Sequence, residues 1–334
     1  MTEPDANRGG CASSRAEDAG TDSGDAFLQR EPAAAPREDS DGIAPALTTK
    51  KLALDARLRQ LGSVIVAYSG GIDSAYLAYA AHAVLGSRML AVIADSPSLP
   101  RAELSDASAF AGECGIPLRV VRTHEMEREL YAANGPDRCF HCKDELFETL
   151  EGELERSGLH ALAYGLNADD RRDFRPGHKA AAAHRVTAPL AEAGLLKADV
   201  RALAQRAGLR LWDKPASACL SSRVEYGRRV TPEVLRTIEQ AEEALHRMGF
   251  RRVRVRHHGS IARIELAEEE MAAALDTGTL KKMATAVRAA GFRYVSLDCE
   301  GYRTGSMNEV LPVAVLTESR GDRKKENETH DATD

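Results

Sequence analysis

Three groups of residues in this 334-residue chain have the types and spacing that chemistry requires. The first is Ser69-Gly70-Gly71-Ile72-Asp73-Ser74, within AYSGGIDS at 67–74. Adjacent glycines reach backbone conformations closed to other residues, so successive N–H groups can turn toward one anion, and the two serines add hydroxyl donors. A helix starting here would point its positive end at the same anion. No Lys follows the glycines, as a Walker loop needs, and one tight glycine pair is not GxGxxG. Two readings stand: a phosphate cradle, or a Gly-Gly turn in which Ser or Asp caps a helix.

The second group centres on Cys219, in the loop-like run from Trp212 to Arg223, WDKPASACLSSR. Small and polar neighbours are a poor setting for an inert core thiol. Lys214 and Arg223 would favour its thiolate if the fold brings them within reach. On local grounds a reactive and a packing cysteine remain equally open. The third group is Cys139-Phe140-His141-Cys142, a CxxC. Two thiolates at that spacing can grip one metal centre but fall short of the four ligands of structural zinc, and Cys219 could supply a third. Among the other cysteines, Cys11 lies in a polar stretch, and Cys114 and Cys299 lie in apolar runs that suit packing.

Other residues are candidates on weaker grounds. Asp95 follows an apolar strand-like run and suits either a hydrogen bond to a nucleotide ribose or base, or a turn. Arg252, Arg254 and Arg256 alternate with valines and share one strand face, either solvated or built to recognise phosphate and carboxylate groups. Arg223, so near Cys219, is the stronger candidate for meeting an anion. His257 and His258 read as polar residues at a strand end.

These residues need a scaffold to bring them together. Apolar runs at 63–68, 89–94, 117–122 and 161–166 alternate with helical patterns from Ser74 to about Leu85, Arg101 to Glu113 and Lys143 to about Glu155. That order predicts an α/β fold, a mostly parallel sheet with helices on both faces, whose ligands sit beyond the carboxyl ends of the strands. The SGGIDS loop, Asp95 and GLNADD (165–170) all follow strands and should share one rim. Past residue 214 a helix from Thr231-Pro232-Glu233, strands near 251–257 and 261–266, a helix over about 268–288 and a strand near 293–297 predict a smaller α+β domain over 215–317. Residues 1–46 and 318–334 are too polar to offset the entropy of ordering and read as disordered tails, leaving 47–214 as the first domain.

Composition narrows the classes. With 43% hydrophobic residues the chain can bury one large core or two moderate ones. It has no membrane-length apolar run and no secretory layout, so a cytoplasmic location and no membrane partner are expected. Six cysteines in so long a chain do not suggest the disulfide framework of a short secreted domain. A formal charge of −6 argues against a dedicated nucleic-acid binder, although residues 200–263 hold fourteen Lys/Arg against six Asp/Glu.

In its strand–SGGxDS–helix segment the sequence resembles the PP-loop ATP pyrophosphatases. That resemblance implies ATP and Mg²⁺ as cofactors, cleavage to AMP and pyrophosphate, and pyrophosphate contacts from Ser69, Gly70, Gly71, Asp73 and Ser74. It also implies that Asn167, Asp169 and Asp170 position Mg²⁺ or nucleotide from the rim. SPSLPR (96–101), PASACLSSR (215–223), VRVRHHG (253–259), ARIE (262–265) and LDCEGYRTGSMNE (297–309) further resemble the LarE family of sulfur transferases, over about 47–312. That family implies a small-molecule nucleotide substrate, pyridinium-3,5-biscarboxylic acid mononucleotide, whose carboxylate is adenylated and then attacked by the cysteine matching Cys219. In the sacrificial version the Cβ–S bond breaks, leaving dehydroalanine. Other members hold a four-iron four-sulfur cluster on three cysteines, here Cys139, Cys142 and Cys219, whose open iron carries the sulfur. The CxxC leaves three routes open: that cluster, the sacrificial cysteine, or a structural or redox role. A trimer-based homo-hexamer is also implied. The rivals are a tRNA thiolase, an ammonia-dependent amide synthetase, which would not need Cys219, and a non-catalytic nucleotide-binding module, which would not need Cys219 and Arg223 beside the loop.

Overall fold

The computed structural model describes residues 45–170, 176–215, 217–303 and 306–307. Cys11, the C-terminal tail and most of the expected N-terminal tail lie outside the described residues. Pro45 and Ala46 do not behave as tail: they open α1 (Pro45–Leu61), which buries Leu54 and Leu58.

Four parallel strands form the first sheet: β1 (Val64–Ala67), β2 (Met89–Asp95), β3 (Leu118–Arg122) and β4 (Ala161–Tyr164). Their order is β3-β2-β1-β4. β1 lies in the middle, with Val64 level with Met89 on one side and Ala161 on the other. Its unbroken apolar run is explained by its position, because side chains alternate between two covered faces. Val64 and Val66 pack into a core with α1, α2 (Ile72–Leu85), α3 (Arg101–Glu113) and α8 (Lys197–Arg206). Ile65 points the other way, toward Phe147 and Leu150 of α5 (Arg138–Ser157) and Ala180 and Ala181 of α6 (Pro176–Ala183). Two short helices, α4 (Glu129–Ala132) and α7 (Pro189–Glu192), complete this region.

The other sheet has the order β5-β6-β7. β5 (Val253–His258) runs antiparallel to β6 (Ile261–Leu266), and β7 (Tyr294–Leu297) runs parallel to β6. One core packs Leu235, Ile238 and Leu245 of α9 (Pro232–Arg247) and Met283 and Val287 of α11 (Thr277–Ala289) on Val253, Val255 and Ile264. α9 starts where the sequence places it: Thr231 Oγ1 accepts a hydrogen bond from Val234 N, and Pro232 fills the first turn. The single helix expected over 268–288 is instead two, α10 (Glu268–Ala274) and α11. Asp276 breaks it by accepting from Thr279 N at 2.8 Å, which makes it the cap of a new helix.

The regions are tied by main chain. Leu220 N donates to Ser98 O at 2.8 Å, and Val230 N donates to Ala132 O at 2.8 Å. No helix among the described residues is long and apolar enough to cross a membrane.

Candidate active site

Residues 68–71 leave the end of β1 and α2 starts at once. Gly70 has φ +74°, and a Cβ there would lie 2.8 Å from Ala107 Cβ, so both its conformation and its space require glycine. The serine hydroxyls hold the turn: Ser69 N donates to Ser74 Oγ at 3.1 Å, the two Oγ atoms are 3.0 Å apart, and Ser74 Oγ donates to Gly71 O at 3.1 Å. Gly165, just past β4, lets that backbone touch the start of α2; a Cβ would come within 2.6 Å of Ser74 N.

On this rim Asp73 has a buried Oδ1 without a hydrogen-bond partner. Burial pushes its carboxyl up, opposed by Lys197 and by a hydrogen bond from Asn167. Asn167 also bonds Asp170 Oδ2 at 3.0 Å, whereas Asp169 accepts from Lys197 N at 2.8 Å and belongs to α8. An unpartnered buried acceptor with another carboxylate nearby fits Mg²⁺, which takes one or two protein carboxylates and completes its shell with water and phosphate oxygens.

Two cavities flank the segment that follows residue 216, the first of them beside the phosphate loop. The first, about 240 Å³, is lined by Ala67, Val92 and Ala94, by Ser69 and Gly71 of the loop, and by Glu125, Cys142 and Cys219. The second, about 210 Å³, is lined by Arg138, Arg254, Arg256, Arg303, Tyr226 and Tyr302. Ala218 lines both, so the strip carrying Cys219 is the wall between them.

The basic partners expected for Cys219 are engaged elsewhere. Arg223 is fully buried. Its Nε and Nη2 bond Glu242 at 3.0 and 3.2 Å, and its Nη1 donates to the carbonyls of Ala218 and Cys219 at 2.5 and 2.9 Å. That corrects the expectation that Arg223 meets an anion: its donors are consumed in anchoring the Cys219 strip to α9. Lys214 Nζ sits 2.7 Å from Glu103 and 2.7 Å from Asp106, and 3.4 Å from Gly70 O, so it braces the loop. The cation placed beside Cys219 is Arg138, whose Nη1 donates to Ser221 O at 2.8 Å and to Asn134 Oδ1. Tyr131 completes this buried patch, with its hydroxyl 2.7 Å from Ser221 Oγ. Asp95 ends β2 as expected; its Oδ1 is paired with Arg101, and it does not line the first cavity.

The CxxC is in the first turns of α5, which starts at Arg138 rather than near Lys143. Cys142 faces the first cavity with Cys219, and Cys139 is exposed. Burial raises the Cys142 thiol, and Cys219, Glu125 and Cys139 raise it further, so the three sulfurs are electrostatic neighbours. Among the described residues no three His, Cys, Asp or Glu side chains are grouped to hold a single metal ion. As a donor set three thiols suit cluster iron in kind.

Of the strand arginines, Arg252 lies before β5 and is exposed. Arg256 is buried on Glu265, at 2.9 and 2.7 Å. Arg254 faces the arginine-lined cavity, bonded among the described residues only to Val253 O at 2.9 Å and with its guanidinium 5.5 Å from the Tyr302 ring. His257 and His258 line neither cavity; burial lowers His257, and His258 lies 3.3 Å from Glu225. Glu125, Ser96, Tyr131, Asn134 and Arg138 were not singled out by sequence reasoning. Arg138 adjoins Cys139 and Asn134 opens an Asn-Gly-Pro turn with φ +58°, signals that could have drawn attention to that segment.

A parallel sheet whose central strand opens through SGGxDS onto a helix N-terminus, with a thiol-bearing cavity beyond it, defines an ATP pyrophosphatase of the PP-loop class. A family model described as NAD synthase matches residues 49–154. A pyridinium-3,5-bisthiocarboxylic acid mononucleotide synthase of Lactiplantibacillus plantarum is 37% identical over 271 residues, 81% of this chain and 98% of that protein. An uncharacterized protein of Synechocystis sp. is 43% identical over 252 residues, 75% of this chain and 94% of its own length. One from Methanocaldococcus jannaschii is 28% identical over 241 residues, 72% and 91% of the two chains. The chain belongs to the LarE family, and is an ATP-dependent sulfur transferase.

Proposed function

We propose that this enzyme adenylates a carboxylate of pyridinium-3,5-biscarboxylic acid mononucleotide and converts it to a thiocarboxylate in the biosynthesis of a nickel-pincer nucleotide. The observation that carries this reading is the Ala218-Cys219 strip, which separates a cavity closed by the phosphate loop from one lined by four arginines. ATP occupies the first cavity, with Ser69, Gly70, Gly71, Asp73 and Ser74 around its pyrophosphate and Mg²⁺ near Asp73 and Asp170. The arginine cavity takes the substrate's anionic groups, Arg254 foremost. We place the division between the two domains at residue 214, so that both cavities lie along it.

The carboxylate oxygen attacks the α-phosphorus and pyrophosphate leaves. Adenylation matters because a free carboxylate is a poor acyl donor, and AMP is a leaving group that sulfur can displace. In the sacrificial route the Cys219 thiolate takes the acyl group, AMP departs, and loss of the Cα proton with cleavage of Cβ–S leaves dehydroalanine at 219 and sulfur on the product. A cluster held by Cys139, Cys142 and Cys219 would instead supply a replaceable sulfide. A tRNA thiolase is less well supported, because within the 200–263 cluster Arg223 and Arg256 are buried on Glu242 and Glu265 and Arg254 lines the second cavity. A homo-hexamer of cytoplasmic enzyme is the expected form.

The test is mass spectrometry of the purified protein after incubation with ATP, Mg²⁺ and the pyridinium dicarboxylate. A loss of about one H₂S, mapped to position 219, establishes the sacrificial route. Thiolated product from unchanged protein establishes the cluster route. Absence of AMP release sinks both.

A further inference from the structure

Glu125 follows β3 and is only 1% exposed, yet it lines the first cavity. Its Oε1 accepts from Ser96 Oγ, which lies 2.7 Å from Ser98 Oγ and accepts from Ser98 N at 3.0 Å. Its Oε2 is buried and has no hydrogen-bond partner among the described residues. A buried acceptor left in that state destabilises the fold unless a donor arrives with a ligand. Glu103, the other acidic residue lining this cavity, already has Lys214 at 2.7 Å.

Two parts of the lining ask for opposite chemistry. At the loop, backbone N–H groups and the start of α2 attract phosphate. At Glu125 a carboxylate oxygen repels phosphate and accepts from O–H or N–H. We propose that Glu125 Oε2 accepts a hydrogen bond from an uncharged donor on the nucleoside half of ATP, a ribose hydroxyl or the exocyclic amine, and so sets which way the nucleotide lies. This rests on the reading of the first cavity as the ATP site. Asp95 does not line this cavity, whereas Glu125 does. The strip that fixes Glu125 also reaches the reactive thiol, because Ser98 O accepts from Leu220 N at 2.8 Å, next to Cys219.

The experiment is calorimetric titration of wild type, Glu125→Gln and Glu125→Ala with ATP, 2′-deoxyATP, 3′-deoxyATP and ITP, after thermal melts verify that each variant is folded. Wild type should bind one analogue about 10–100-fold more weakly than ATP, the worth of a hydrogen bond to a charged group, and that analogue names the donor. Both variants should bind ATP as weakly as wild type binds that analogue, leaving the two ligands within about 2-fold of each other. The inference is overturned if wild type binds all four alike, if the variants keep wild-type affinity for ATP, or if they weaken all four by one factor. Wild type that binds none of the four overturns the ATP site itself, and this inference with it.

Discussion

The two cavities on either side of Cys219 are alike in size and opposite in how they treat charge. The cavity beside the phosphate loop is mostly apolar and holds Glu125 Oε2, which, like Asp73 Oδ1 in the neighbouring loop, has no hydrogen-bond partner among the described residues. The cavity across the strip is lined by four arginines, yet the side-chain donors of three of them are already engaged. Arg256 is bound to Glu265, Arg303 lies 2.6 Å from Glu300 and 3.6 Å from Asp298, and Arg138 is committed to Ser221 O and Asn134. Arg254 alone of the four makes no ion pair and no hydrogen bond to another side chain among the described residues. Burial and the neighbouring Arg223 push its pKa down. Counting arginines in a pocket is therefore a poor measure of the charge it offers a ligand; the useful count is of those whose donors the fold has not spent.

The largest effect that would break this comparison is on Arg256. Glu265 is fully buried and accepts from Arg256 twice, with further bonds from Arg263 at 3.1 Å and Ser306 at 2.8 Å. Removing one partner of a buried pair strands the other, a loss of about 3–5 kcal/mol. Arg256→Ala should fall near the lower end, because Arg263 and Ser306 remain, and it should show as a lower urea midpoint with unchanged slope. Substrate affinity per folded molecule should barely change. A large rise in KM with normal stability would mean that Arg256, not Arg254, meets the ligand.

Arg254→Ala should do the reverse. Loss of about 1.5–3 kcal/mol of charge-assisted hydrogen bonding to the substrate raises its KM by about 10–100-fold, while ATP affinity and the unfolding midpoint stay at wild-type values. An equal effect of Arg254→Ala on ATP binding would dissolve the distinction between the cavities.

Much of the first sheet could be read from sequence because it obeys local rules. Strands at 64–67, 89–95 and 118–122 and the helix at 101–113 follow from apolar runs and from Gly115, and the SGGIDS loop from its glycines. What sequence could not supply was the pairing of side chains distant in the chain. Nothing local says that Arg101 takes Asp95, that Glu242 takes Arg223 across 19 residues, or that Glu125 comes to lie beside Cys142. The Cys139-Cys142 pair was visible as a motif, but its place on a helix facing Cys219 depends on Tyr131, Asn134 and Arg138 reaching the 219–226 segment through contacts about 90 residues apart. Motifs report which chemistry is present; long-range ion pairs decide which of their members stay available for it.

The smallest effect concerns Asp73, and it separates the two cavities by sign. Burial raises its carboxyl above the ordinary range. A folded-state pKa above the unfolded one favours the folded protein below the unfolded pKa, and that advantage is lost as pH rises through the folded value. At neutral pH, without Mg²⁺, the ionised Asp73 is therefore a cost, and Asp73→Asn should raise the Tm of the apo protein by a few degrees. In exchange the variant should lose the further rise in Tm that Mg²⁺ with ATP gives wild type, since that rise is the ligand relieving the unpaired oxygen. Lowering the pH on wild type should mimic the variant, with the Mg²⁺-dependent part fading at a pH above that of an ordinary carboxylate. Arg254→Ala should leave this Mg²⁺ response untouched. A Mg²⁺ response that survives in Asp73→Asn would place the cation elsewhere and leave the buried Oδ1 as a defect of packing.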